Sequence, residues 1–177
     1  MPDQIEGLQS GANAYICKPF NADYLLLTVN NLLKDKEALR RYFTMPQTGV
    51  SESIPVTLNR YDQLFMDKLS NLLETNLSDP DLTIDYLAQE LGFSRTAFYR
   101  KIKGLTDISP NDFLKNYRLK CAAEKIVDDS ASLIEISEQT GFSSYSYFSK
   151  SFKKHFGVTP SDYGRKPYQD ESGGTRC

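Results

Sequence analysis

One pattern occurs twice in this chain, so the fold must accommodate two copies of the same helical unit. Leu82–Pro110 reads LTIDYLAQELGFSRTAFYRKIKGLTDISP and Ala131–Pro160 reads ASLIEISEQTGFSSYSYFSKSFKKHFGVTP. Gly-Phe-Ser recurs at an offset of 49, at Gly92-Phe93-Ser94 and Gly141-Phe142-Ser143. After one inserted residue the offset becomes 50, pairing Phe98 with Phe148, Ile102 with Phe152, Lys103 with Lys153 and Pro110 with Pro160. Repeats of this kind are supersecondary units that bury their apolar faces against a neighbour.

Each copy has the parts of two short helices and a tight corner. Ile84, Leu87, Ala88 and Leu91 follow the i, i+3, i+4, i+7 spacing of a single buried stripe. Gly92 stands where a left-handed residue ends a helix at little steric cost. Phe93 is expected to plug the corner and Ser94 to cap the next helix. The second copy adds a capping box, Ser132-Leu133-Ile134-Glu135. Two short helices joined by a Gly turn make a helix-turn-helix, whose second helix lies in the major groove of DNA. The predicted units are 82–103 and 131–154, with reading helices at 94–104 and 144–155.

The helical wheel then sorts the side chains of those reading helices. Phe98, Ile102 and Leu105 point one way, and Thr96, Tyr99, Arg100 and Lys103 the other. In the second copy Phe148 and Phe152 point inward, and Ser146, Ser149, Lys150 and Lys153 outward. Neither outer face carries Asp or Glu, whereas a merely solvated face usually mixes signs. The competing reading is a helical protein-interaction or dimerisation module that does not read DNA, which would more often present an apolar patch. Between the units, Ser109-Pro110 opens a helix over 110–127 with Phe113, Tyr117, Cys121 and Ile126 inward. Its length of ~27 Å compares with the ~34 Å separating successive major-groove faces, so one chain can place two reading helices on one side of a duplex.

Charge agrees once the chain is divided. The total is -2, but residues 1–91 carry 7 Lys+Arg against 13 Asp+Glu, and residues 92–168 carry 13 against 8. With 40% hydrophobic and 25% charged residues the composition is that of a soluble protein. No apolar run approaches the ~20 residues that span a bilayer, so no membrane contact is expected of this chain. A single histidine and three scattered cysteines argue against a metal site, a disulfide frame and a Ser-His triad. Asp79, Asp81, Asp85, Asp128 and Asp129 fall in turns or at helix ends, where capping accounts for them. The expectation is no enzyme, no cofactor and no metal. The opening MPDQIEGLQSGANAY has no secretory pattern, and a cytoplasmic location is expected.

Upstream of the repeat, residues 1–43 read as the end of another unit. A short strand is predicted at Ala14–Cys17, stopping at Lys18-Pro19, and then a helix capped by Asn21 with Leu25, Val29, Leu32 and Leu33 apolar. Residues 44–58 are rich in Ser, Thr, Pro and Gly, a linker. From Asn59 a helix is predicted with Tyr61, Leu64, Phe65, Leu69, Leu72 and Leu73 on one face, ended by Asp79-Pro80. The fold class expected is all-α: two helix-turn-helix subdomains joined by a long helix over 59–168, about seven helices. A one-strand, one-helix fragment precedes this domain, and a disordered tail over 169–177 follows it.

The residues over about 59–166 resemble the AraC/XylS family of bacterial transcription regulators. The likeness is carried by Ile136-x4-Gly141-Phe142-x4-Tyr147-Phe148-x3-Phe152-Lys153-Lys154-x-Phe156-Gly157-x-Thr159-Pro160-x2-Tyr163. It implies double-stranded promoter DNA as the partner, with Thr96, Tyr99, Arg100, Tyr145, Ser146, Ser149 and Lys150 facing the bases. Phosphate contacts are expected from Ser94, Arg95, Lys101, Lys103, Ser143, Lys153 and Lys154, including the cap amides at Ser94 and Ser143. Three departures stand out. Asp107 replaces a common Gly, and Ser137 and Thr140 put hydroxyls on the core side, which predicts a looser second unit.

Gly11 to Phe20 (GANAYICKPF) resembles the last strand and Lys-Pro of a two-component receiver domain. That resemblance implies that Lys18 matches the phosphate-contacting lysine and that Pro19 follows a cis bond. The receiver's acidic pocket and phospho-acceptor Asp are absent from this chain. Together the parts resemble the C-terminus of a Bacteroidetes-type hybrid two-component regulator, often one controlling glycan-utilisation genes. The resemblance leaves room for RNA polymerase as a second partner and for homodimerisation through the receiver.

Overall fold

The computed structural model describes residues 16–44, 60–129 and 131–165. Among these residues there are eight helices and no strand. They are α1 Ala22–Thr44, α2 Arg60–Thr75, α3 Ile84–Glu90, α4 Arg95–Thr106, α5 Pro110–Val127, α6 Leu133–Gln139, α7 Tyr145–Phe156 and α8 Pro160–Arg165. The seven helices α2–α8 match the number expected for residues 59–168. Of the strand expected at Ala14–Cys17, residues 14 and 15 lie outside the described residues, and Ile16 and Cys17 are not in a strand. The Lys18–Pro19 peptide is cis. The proposed linker, apart from Thr44, and the tail 169–177 also lie outside the described residues.

Two apolar cores organise the fold. The first gathers Phe65, Met66, Leu69 and Leu73 of α2, Leu87 and Ala88 of α3, Phe98, Ile102 and Leu105 of α4, and Phe113 and Leu114 of α5. The second gathers Leu119, Ala122 and Ile126 of α5 with Ile136, Phe142, Phe148 and Phe152, and Phe156 and Tyr163 close it. Rings step through the second core: Phe142 to Phe148 at 5.1 Å, Phe148 to Phe152 at 5.6 Å and Phe152 to Tyr163 at 5.3 Å between centroids.

The helix α5 is therefore a spine shared by both cores. Ser109 caps it, its Oγ accepting from Asp112 N–H, and Pro110 takes the first turn, where a missing N–H costs nothing. A single inward stripe of Phe113, Tyr117, Cys121 and Ile126 understates its burial. Leu114, Leu119, Ala122 and Ala123 are buried too, while Tyr117 and Cys121 are half-buried, because the helix serves two cores along its length.

Helix α2 also differs from its expected orientation. Its buried stripe is Asp62, Phe65, Met66, Leu69 and Leu73, and Tyr61 and Leu64 are exposed. An ion pair with Lys101 turns the polar Asp62 inward, and apolar residues alone mark a neighbouring face. Helix α1 lies against α4 and α5, and its Leu39 is 1% exposed within the first core. The helix that precedes the expected linker thus packs against the helices that follow it.

The hydroxyls of Ser137 and Thr140 do not loosen the second unit through unmet polar groups. Both residues are buried, and their oxygens donate to main-chain carbonyls, Ser137 to Ile134 at 2.8 Å and Thr140 to Ile136 at 2.7 Å. A buried hydroxyl with a partner avoids the cost of desolvation without compensation.

Candidate nucleic-acid interface

Both corners are built by the same backbone device. In the first, Phe93 N–H donates to Ala88 C=O at 2.8 Å and Gly92 N–H to Gln89 C=O at 3.0 Å. In the second, Phe142 N–H donates to Ser137 C=O at 3.0 Å and Gly141 N–H to Glu138 C=O at 2.9 Å. This nested pair is the Schellman termination, and it needs a left-handed residue, met by Gly92 at φ +74° and Gly141 at φ +73°. Phe93 then packs edge-on against Phe65, 5.4 Å between centroids.

The next helix starts from a serine in each copy, but only in the first copy is it the serine of Gly-Phe-Ser. Ser94 caps α4, its Oγ accepting from Ala97 N–H at 3.2 Å. In the second copy the cap is Ser144, accepting from Tyr147 N–H at 3.3 Å, so Ser143 is the inserted residue and not a cap. Ser94 and Ser144 are 50 apart, the offset that also relates the buried positions of the two helices. The helices end alike as well, with Asp107 at φ 62° and Gly157 at φ +77°, each N–H donating to the carbonyl of the lysine four residues earlier. Asp107 thus takes the left-handed position that its partner fills with glycine.

Phe98 and Ile102 are buried beneath α4, and Phe148 and Phe152 beneath α7. On the opposite face Thr96, Tyr99, Arg100 and Lys103 are exposed, as are Tyr145, Ser146, Lys150, Lys153 and Lys154, while Ser149 is half-exposed. Ser94, Ser143 and Lys18 are exposed as well. Both outer faces remain without a carboxylate. Arg95 pairs with Asp85 at 3.1 Å, and Lys103 folds back on the Asp107 carbonyl.

Lys101 is the exception among the expected phosphate contacts. It points into the protein, ion-paired with buried Asp62 and stacked over Phe65, so it joins α4 to α2 and leaves the phosphate-facing set. A wheel sees only one helix, and nothing near Lys101 in sequence announces a carboxylate 39 residues away.

Along α5, and where it meets α7, burial shifts three titrating groups. Burial, followed by Lys120 and Lys115, holds His155 below the ordinary imidazole range. Burial also brings Lys120 down to about 8 and pushes the Cys121 thiol up to about 11, with Glu124 opposing the former and adding to the latter. Hydrogen bonds from Lys115 and Ser109 keep the Asp112 carboxyl below its usual range. Among the described residues no three His, Cys, Asp or Glu side chains gather where they could hold a metal ion, and no helix is long and apolar enough to cross a membrane.

Residues 87–166 match the family described as "Helix-turn-helix domain". Over 160 residues, 90% of this chain, the sequence is 37% identical to "Histidine kinase P4" of Formosa agariphila, of which it spans 12%. It is 32% identical over 133 residues to "HTH-type transcriptional regulator ExsA" of Pseudomonas aeruginosa, covering 73% of this chain and 45% of that protein. The chain thus spans less than half the length of either relative. Among solved structures, the C-terminal domain of AraT, a response regulator from Geobacillus stearothermophilus, superposes with a TM-score of 0.54 at 29% identity, over 63% of this chain and 93% of that one.

Proposed function

Residues 87–166 are an AraC-type helix-turn-helix domain, and on that premise we propose that the chain is a sequence-specific DNA-binding transcription regulator. It acts as the output domain of a two-component phosphorelay in the cytoplasm, with α4 and α7 in successive major grooves. The observation that carries this reading is the pair of exposed, carboxylate-free outer faces repeated at an offset of 50 on helices that follow corners with the same backbone hydrogen bonds. Thr96, Tyr99 and Arg100 of α4 and Tyr145, Ser146, Ser149 and Lys150 of α7 contact base edges. Arg95, Lys103, Lys153 and Lys154, with the cap amides after Ser94 and Ser144, contact phosphates.

The phosphorelay assignment draws support from the likeness to a response-regulator output domain and to a relative named as a histidine kinase. On this reading residues 1–43 are the end of a receiver, with Lys18 its phosphate-contacting lysine, and homodimerisation and contact with RNA polymerase accompany DNA binding. The chain itself carries out no catalysis.

The test is selection of duplexes from a randomised library, followed by mobility shifts over a range of salt concentrations. A two-element motif should be enriched, and its affinity should fall linearly with the logarithm of salt, as release of counterions requires. Equal affinity for selected and random duplexes at every salt concentration would remove sequence-specific reading from the account.

A further inference from the structure

The two corner glycines share a backbone conformation but not an environment. A Cβ added at Gly92 would meet nothing within 4 Å. One added at Gly141 would lie 2.4 Å from the Leu77 carbonyl oxygen and 2.8 Å from the guanidinium carbon of Arg118. Leu77 belongs to the turn after α2, Arg118 to the spine α5, and Gly141 to the corner between α6 and α7. Three elements from both halves of the protein therefore converge on one glycine. The first corner has no counterpart to this contact.

Arg118 holds the convergence together. Its Nη2 donates to the Asp79 carbonyl in the turn that follows α2. Its guanidinium is half-buried, with Asp79 and Tyr147 as its electrostatic neighbours, and Tyr147 stands in the first turn of α7. A planar fork can lie flat against a glycine and still donate sideways, which a lysine ammonium cannot do. We infer that Arg118, seated against Gly141, is the positioning residue that fixes the second recognition helix relative to the first. It thereby sets the spacing of the two base-pair clusters that one chain reads. The second half of this inference rests on the DNA reading above; the first half does not.

Two measurements test it in the full chain. Spin labels at Gln89→Cys on α3 and Glu138→Cys on α6, both exposed, report the distance between the units once Cys17, Cys121 and Cys177 are replaced by serine. The parent should give one narrow distance distribution and Arg118→Ala a broad one, with Arg118→Lys between them. Gly92→Ala, which carries the same backbone penalty in open space, should leave the distribution as it is, whereas Gly141→Ala should shift it. The second measurement compares a duplex enriched by the chain from a randomised library with the same duplex carrying one extra base pair between its two elements. The parent should lose about tenfold or more on insertion, while Arg118→Ala should bind the two duplexes within about threefold of each other. A narrow distribution in Arg118→Ala, or undiminished discrimination against the insertion, overturns the assignment. If the parent enriches no duplex, the DNA reading fails by itself and the distance distributions still decide the lock.

Discussion

Lys101 of α4 turns away from the outer face of its own helix to pair with Asp62 of α2, its ammonium 5.8 Å from the centre of the Phe65 ring. The two side chains are 17% and 3% exposed, so the pair is withdrawn from water. Removing one member of such a pair strands the other, which costs far more than replacing both by apolar groups of similar size. Asp62→Ala should lower unfolding stability by about 3 kcal/mol. The double variant Asp62→Leu with Lys101→Met should recover most of that loss in urea titrations. Lys101→Met should also leave the salt dependence of DNA binding unchanged, because this ammonium is not available to phosphate.

Arg100 and Lys103 stand on the exposed face of α4 and offer the contrast. Arg100 presents a fork suited to the O6 and N7 edge of guanine, worth ~1–3 kcal/mol of discrimination. Arg100→Ala should therefore weaken binding to a selected duplex much more than to random DNA. Lys103→Ala should weaken both alike and reduce the slope of log affinity against log salt by about one. Equal losses on both duplexes for Arg100→Ala would assign that guanidinium to phosphate.

What the sequence makes legible is what chain-local physics decides. The Schellman corners at Gly92 and Gly141, the caps at Ser94, Ser109 and Ser132, and the buried Phe98 and Phe148 all follow from residues within a few positions of one another. The cap at Ser144 follows as well, since the offset between the copies is 50 from that residue onward. The Lys101–Asp62 pair and the seat of Arg118 on Gly141 join residues separated by whole helices, and no periodicity encodes which cation turns inward. The same holds for Leu39, which no upstream periodicity singles out and which is part of the first core.

That burial of Leu39 makes a prediction about how α1 is attached. Beside it, Lys36 meets Asp107 at the C-terminal end of α4, 3.7 Å apart, with both side chains more than 40% exposed. A solvent-exposed pair of this kind contributes ~0–1 kcal/mol, whereas deleting most of a buried leucine costs ~2–5 kcal/mol. Leu39→Ala should destabilise the first unit strongly and speed amide exchange in α1, and Lys36→Ala should do little. If the ranking were reversed, α1 would be held by charge and should detach in high salt.

The seam between α5 and α7 predicts an unusual dependence of stability on pH. Lys120 titrates at about 8 in the folded chain against an ordinary 10.5. Between those values the unfolded chain holds more protons, so this group makes stability rise with pH. Below about 8 the ammonium is charged in both states and its burial opposes folding in full. Cys121, raised from 9.0 to about 11, acts in the opposite direction, because the unfolded thiol ionises first and stability falls as pH climbs through that window. His155 lies below its ordinary 6.5, so the unfolded imidazole takes up a proton first and stability falls as pH drops below 6.5. Urea midpoints should therefore rise up to about pH 6.5, stay level, and rise again between pH 8 and 9 before the thiol offsets the gain. Lys120→Met should raise the midpoint at pH 7 and abolish the second rise, while His155→Gln should flatten the first. A lower midpoint for Lys120→Met at pH 7 would mean that attraction to Glu124 outweighs the burial of the ammonium, reversing the sign argued for this residue.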